Sequence, residues 1–294
     1  VMTVPETYAV RSTSAASSRS YLLWVTTAAL FIVLFAKPAA LLGRDWWTNP
    51  EAGHGLLLAP VALWLAWKRG WVEPARPSQV LGGALLLFAV LLRGTAELAA
   101  ELFTMRASMM AAAIGLVVYF RGLQQLRAWW LPVLLLGLSI PLPELVTSGI
   151  ALPLQFKASA MGARLLEWRG VPVLLSGNVI QIPNHQLFVT EACSGLRSLT
   201  ALLSLAVLMG GLWLHSPISR IVLVAVGIPI AIFINGVRVF LTGFLVYYVD
   251  PKMGEGFMHI TEGWLLFGVS LALTALAAAA VRAVERKLRP TAGE

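Results

Sequence analysis

The sequence predicts an all-α polytopic membrane protein of about eight transmembrane helices, with a small external cap of amphipathic helix and β-structure between the fifth and sixth. Three observations predict it. Hydrophobic residues fill 58 % of the 294 positions and charged residues only 12 %, against about 25 % charged in soluble domains; mean hydropathy is +0.79. Apolar runs approaching the roughly 20 residues of a bilayer crossing recur along the chain. Lys and Arg gather between alternate runs, as they do in cytoplasmic loops.

That last pattern also explains the net charge of +8. No nucleic-acid motif accompanies the charge, so nucleic acid is not expected as a partner; the lipid bilayer is. The single cysteine, Cys193, excludes an intramolecular disulfide and a cysteine-based metal cluster. No metal and no cofactor are expected.

The chain reads as one integral membrane domain over residues 1–294. A polar tail, 1–20, precedes the first run, Tyr21 to Gly43, which is read as a span rather than a cleavable leader. Further spans are expected at Gly55–Trp67, Val80–Leu92, Ala107–Phe120 and Ala128–Val146, then at Cys193–Leu214, Ile218–Tyr248 and Glu262–Ala283, with a second tail at 284–294. The short second, third and fourth runs imply helix ends that extend into flanking polar residues. An N-terminus inside places Arg11, Arg19, Lys68, Arg69, Arg76, Arg121, Arg127, Arg220, Arg282, Arg286, Lys287 and Arg289 on the cytoplasmic side. Arg44, Arg93, Arg106 and Lys252 remain outside. Both termini are therefore expected to be cytoplasmic.

The cap covers 147–192. Leu152, Leu154, Phe156, Met161, Leu165 and Leu166 alternate with Gln155, Lys157, Arg164 and Glu167, the pattern of an amphipathic helix at an interface. Gly170 is its expected stop. Residues 171–175, 178–182 and 186–189 read as short strands, with turns at Ser176-Gly177 and Pro183-Asn184-His185. Strand backbone cannot face lipid unsatisfied, so the cap should sit above the bilayer. His185, in a turn, is expected to be solvent-exposed and inert.

The cap delivers the chain to Thr190-Glu191-Ala192-Cys193-Ser194-Gly195-Leu196-Arg197-Ser198. A lone cysteine is usually a small buried hydrophobe. This one opens a span running inward, where helix N-terminal amides favour a thiolate and could hold an oxyanion. Arg238, in Asn235-Gly236-Val237-Arg238, lies twenty residues into its span, about 30 Å at 1.5 Å per residue, and so level with Cys193. Snorkelling would explain an interfacial arginine, but an ionisable residue within an apolar run is by default a functional candidate. The run continues past it, so a bend or break is expected at Asn235-Gly236, helped by Pro229. His259 precedes the last inward span and is external by the same reasoning; its unperturbed pKa suits proton transfer.

Glu191-Ala192-Cys193-Ser194-Gly195-Leu196-Arg197-Ser198, Asn235-Gly236-Val237-Arg238-Val239 and His259 with Gly263 together resemble the three signature motifs of the exosortase/archaeosortase family. Gly170-Val171-Pro172-Val173, Gly177-Asn178, Ile182-Pro183 and His54-Gly55 with Pro60 are similar to further segments of it. Histidine at 259 resembles the bacterial exosortase form. The resemblance implies a multi-pass cysteine transpeptidase or protease in the bacterial cytoplasmic (inner) membrane, its active site on the periplasmic face. Its substrates would be exported proteins ending in a Pro-Glu-Pro-like motif (PEP-CTERM type), a transmembrane helix and a basic tail.

In that reading Cys193 is the nucleophile, His259 the general acid and base, and Arg238 either lowers the thiol pKa or binds the oxyanion. Glu191 either orients His259 or caps the helix. Ser194, Gly195, Arg197 and Asn235 shape the site, and His54 is a candidate substrate contact. The three catalytic side chains should converge within about 5 to 8 Å under the cap, beside a lateral opening for the substrate's helix. Another cysteine-dependent membrane acyltransferase would need the same thioester. A transporter would instead place ionisable residues at the midplane of repeated halves, and no internal repeat is visible.

Overall fold

The computed structural model describes residues 14–49, 51–189, 196–254 and 256–288, with backbone alone at 14–24, 196–197, 253–254 and 256–263. Ten α-helices are described: α1 (Ser14–Thr48), α2 (Gly55–Arg69), α3 (Gln79–Leu98), α4 (Leu102–Arg121), α5 (Leu123–Ala128), α6 (Trp130–Leu138), α7 (Glu144–Trp168), α8 (Leu196–Trp213), α9 (Pro217–Tyr248) and α10 (Gly256–Leu288). Three strands, β1 (Leu174–Ser176), β2 (Val179–Ile182) and β3 (His185–Phe188), lie between α7 and α8, and a 3-10 turn (Pro251–Gly254) joins α9 to α10. Among the described residues, five helices are long and apolar enough to cross a bilayer: α1, α3, α4, α9 and α10, with α8 shorter. Leu30, Ile32, Val33, Leu87, Leu91, Leu265 and Leu276 are exposed on them. Such an apolar periphery around a helical body is that of an all-α membrane protein.

The expected ends of the third and fourth spans do extend, to Gln79–Leu98 and Leu102–Arg121. Glu101 caps α4, accepting from the backbone N–H of Phe103 (3.0 Å) and Thr104 (2.6 Å). Hydrogen bonding from Thr104 holds its carboxyl below the usual carboxylate range. That contribution is present above the unfolded carboxylate pKa and is lost as pH falls through the lowered one. The two helices pair closely: a Cβ at Gly82 would lie 2.4 Å from the Tyr119 backbone, and one at Gly115 3.1 Å from Leu86.

The expected fifth span, 128–146, is not a single helix. α5 and α6 are broken at Trp129, and α6 stops before Pro141-Leu142-Pro143. Proline lacks an N–H and disfavours helical backbone in the residue before it, so the run cannot continue. α6 packs instead against α2 through Leu58, Ala62, Leu65, Leu131 and Leu135.

A helix, α7, forms over Glu144–Trp168, the stretch read as amphipathic. Leu152 and Phe156 are exposed, while Ala151, Gln155, Ala158, Ser159, Gly162, Ala163 and Leu166 are buried. These mostly small residues recur at 3–4-residue spacing, one face of a helix, and let α7 lie close along the second half of α9. A Cβ on Gly162 would meet Val239 at 2.5 Å, one on Gly236 Met161 at 2.4 Å, and one on Gly243 Leu166 at 2.8 Å. The rising numbers along both helices make α7 and α9 parallel.

For the same reason the expected break at Asn235-Gly236 is absent. α9 is one continuous helix of 32 residues, about 48 Å long. Gly236 serves close helix approach.

α7 ends at Gly170 as expected. Gly170 (φ 81°) donates to Glu167 O (2.9 Å) and Val171 donates to Leu166 O (3.1 Å), the paired bonds of a Schellman cap. The strands form an antiparallel sheet in order β1-β2-β3, pairing Ser176 with Val179 and Ile182 with His185. Gly177 and Asn184, both at φ 63°, supply the left-handed turn positions. His185 opens β3, half-buried, rather than lying in the turn. Ile180, Ile182 and Val189 join Ala158, Ala163, Leu166, Val239 and Val246 in one buried cluster.

Gly162→Ala should destabilise the protein by about 1–3 kcal/mol, the cost of overpacking, whereas Gly268→Ala, with open space at its Cβ, should be neutral or slightly stabilising. Thermal unfolding in detergent micelles checks the pair, and equal shifts would mean the α7–α9 approach is not tight.

Candidate active site

α8, α9 and α10 form the unit that holds the described part of the site. α9 runs antiparallel to α8, with Gly227 against Leu203 and Gly210 against Arg220. It is likewise antiparallel to α10, since Leu223 packs with Ala278 at one end while Arg238 and Leu266 share a cavity toward the other. The beginning of α8, the second half of α9 and the beginning of α10 therefore meet at one end.

That cavity is lined by Ser198 and Leu202 of α8, by Ala231, Ile234, Asn235 and Arg238 of α9, and by Leu266, Phe267 and Ser270 of α10. Its polar side chains come one or two from each helix, among otherwise apolar walls. Asn235 is 6 % exposed and Ser270 2 %. The Ser270 hydroxyl donates to Leu266 O (2.9 Å) and that of Thr274 to Ser270 O (2.9 Å). Both serines lie at helical positions the sequence reading did not single out. The available signal was polar residues one turn apart, 270 and 274, inside an apolar run.

Cys193, Glu191, Ser194 and Gly195 lie outside the described residues. Arg197 lies on the first turn of α8 and His259 on the first turns of α10, their side chains outside the description. Ser198, five positions after Cys193, and Leu266, seven after His259, both line the cavity that holds Arg238. The expected convergence of three side chains and the lateral opening rest on the undescribed groups.

His54 is held by backbone. Its Nδ1 lies 3.0 Å from Glu51 O and its Nε2 3.1 Å from Leu138 O. Beside it the Trp46 indole donates to Ser139 O at 2.8 Å and packs so closely on Gly55 that a Cβ there would lie 2.1 Å from Nε1. His54-Gly55 thus pins the end of α6 to the α1–α2 joint.

A second polar cluster anchors the chain just before the cysteine segment. Asn178 Nδ2 donates to Gln155 Oε1 and to Val189 O, both at 3.1 Å, while Val189 N donates to Asn178 O at 2.9 Å. Gln155 and Val189 are buried. Asn178→Ala should cost about 1–3 kcal/mol, because two buried acceptors lose their donor; hydrogen exchange should quicken across residues 179–189. Unchanged exchange there would separate the cluster from the anchoring of Val189.

Among the described residues, no three His, Cys, Asp or Glu side chains group as metal ligands would.

Compared with known proteins, residues 46–276 match the model of one family, the transmembrane exosortases. No curated protein and no solved structure matches the chain.

Proposed function

Because the chain belongs to the transmembrane exosortase family, a family of protein-processing enzymes, we propose that it is a membrane-embedded cysteine transpeptidase or protease that cleaves C-terminal sorting signals. Cys193 sulfur attacks the scissile backbone carbonyl and passes its proton to His259. Collapse of the tetrahedral intermediate breaks the C–N bond, and His259 returns the proton to the leaving amine. The substrate's N-terminal part is left as a thioester on Cys193, which water or an amine then resolves. Arg238, a permanently charged fork of N–H donors, stabilises the thiolate or the oxyanion.

The observation that carries this reading is the position of Arg238. Its cavity is bounded by the first turn of α8, which follows Cys193, and by α10 shortly after His259. All three motifs of the resemblance thus lead to one end of one helical unit. Beside the apolar side chains of the cavity the field of the guanidinium is stronger than in bulk water. Asn235, buried in the same cavity, shapes it together with Ser198 and Ser270.

Arg220, Arg282, Arg286 and Lys287 belong to the end opposite Arg238; the positive-inside tendency supports a cytoplasmic position for that end and a cavity at the periplasmic face of the bacterial inner membrane. On that assignment both tails lie inside and the β-sheet outside. α7 and the sheet pack on the second half of a helix about 18 Å longer than the hydrocarbon core. Substrates are exported proteins bearing a Pro-Glu-Pro-like motif, a transmembrane helix and a basic tail. The helix would leave its scissile bond at the height of the cavity.

Mass spectrometry of a Pro-Glu-Pro-tailed membrane protein, coexpressed with and without the enzyme, tests the proposal by locating the cleavage point and any added group. Cys193→Ala and Cys193→Ser should both abolish processing while membrane insertion persists; processing near the wild-type rate by either would remove the cysteine mechanism. His259→Ala should slow turnover by about 10² to 10⁴. Arg238→Lys should be severely impaired, since a point charge does not reproduce the guanidinium fork. Undiminished turnover of either variant at saturating substrate would remove that residue's role.

A further inference from the structure

The end of the molecule opposite Arg238 holds an arrangement that catalysis does not use. Arg69, the last residue of α2, and Arg220, in the first turns of α9, converge on the indole of Trp130 at the start of α6. Their guanidinium carbons lie 5.9 and 4.6 Å from its ring centre. Each is pinned by main-chain carbonyls: Arg69 Nη1 donates to Ala128 O (2.6 Å), and Arg220 Nε and Nη2 donate to Leu214 O (3.1 and 2.9 Å).

Each cation gains from the ring face, but two fixed positive charges on one indole repel, and more so at a membrane boundary than in water. Neither arginine takes part in the salt bridges Lys37–Glu97, Arg93–Glu97, Arg106–Asp45 and Arg121–Glu73. Glu285, an acidic group at this end, accepts from the backbone N–H of His215 (3.2 Å) and Ser216 (2.5 Å). A guanidinium carries five N–H donors, and the carbonyl bonds leave several on each arginine in a fixed geometry suited to phosphate oxygens.

Apolar surface adjoins the pair. Leu134, one turn beyond Trp130 on the same face of α6, is 43 % exposed, and Leu212, near the end of α8, is 52 % exposed. A free anion has no use for such a wall; an acyl chain does.

We propose that Arg69, Arg220 and Trp130 form a binding site for the phosphate headgroup of an anionic phospholipid of the cytoplasmic leaflet, its chains lying along Leu134 and Leu212. Anionic lipids are attracted to basic residues at that surface. The site depends on the orientation given by the basic residues, not on the cysteine chemistry, so a failure of one leaves the other standing.

The test is native mass spectrometry of the full chain in an uncharged detergent, titrated with phosphatidylglycerol, phosphatidylcholine or inorganic phosphate. Phosphatidylglycerol should bind at least about tenfold more tightly than phosphatidylcholine, with affinity falling as salt rises, and phosphate alone should leave no comparable adduct. The Arg69→Gln/Arg220→Gln pair should weaken phosphatidylglycerol roughly 30-fold, from the contribution of two basic residues. Arg76→Gln/Arg127→Gln, on the same side but off Trp130, should stay within about threefold. Equal binding of both lipids, salt-insensitive binding, equal binding of free phosphate, an unaffected Arg69/Arg220 pair or an equal loss in the control pair would each overturn the site. The headgroup and salt arms use the unaltered protein and decide the matter even if the double variant misfolds.

Discussion

The structure depends on how closely α7 can approach α9. In a bilayer, burying one apolar surface against another displaces lipid that is just as apolar, so helices associate through close packing rather than through exclusion of water. Gly162, Gly236 and Gly243 remove the side chains that would hold the two backbones apart, and Ala158, Ser159 and Ala163 continue the same narrow face. The sheet then closes over Val239 and Val246. α7, the sheet and the helix that carries Arg238 are consequently one packed body, and the chain leaving β3 starts from a fixed point at Val189.

Composition and apolar runs carried the fold class, because a bilayer imposes its thickness on any chain that crosses it. α3, α4, α9 and α10 fell close to their expected places, and so did the turns at Gly177 and Asn184, where only a few residue types tolerate the backbone. The narrow face of α7 and the close approach at Gly236 were not legible, because small residues give no signal in hydropathy; they register only when a partner helix lies against them. The stop of α6 was legible in Pro141 and Pro143, but a continuous apolar run concealed it.

Of the candidate site, Arg238 and Asn235 were legible as polar residues inside an apolar run, and the structure brings both into one cavity. Ser198 and Ser270 were not, since serines are unremarkable in membrane helices until several face the same space. His54 shows the opposite case. Its motif was visible in the sequence, yet its ring nitrogens meet the carbonyls of Glu51 and Leu138, a joint between helices that no linear pattern encodes. The Asn178–Gln155 pair is similar: 23 positions separate its members, and only the hairpin brings them together.

The unequal lengths of the helices reach beyond the protein itself. α2 has 15 residues and α6 only 9, so α2 extends about 22 Å and α6 about 14 Å, against a hydrocarbon core of about 30 Å. Leu56, Leu57, Leu63 and Trp64 turn outward from α2 and offer lipid an apolar band shorter than the bilayer is thick. Lipid against that flank meets a hydrophobic mismatch, which is relieved by local thinning or by headgroups dipping inward. On the α9 side the mismatch has the opposite sign. The molecule is therefore expected to sit in a bilayer whose thickness varies around its circumference, and another membrane helix approaching from different sides would meet different depths of hydrocarbon.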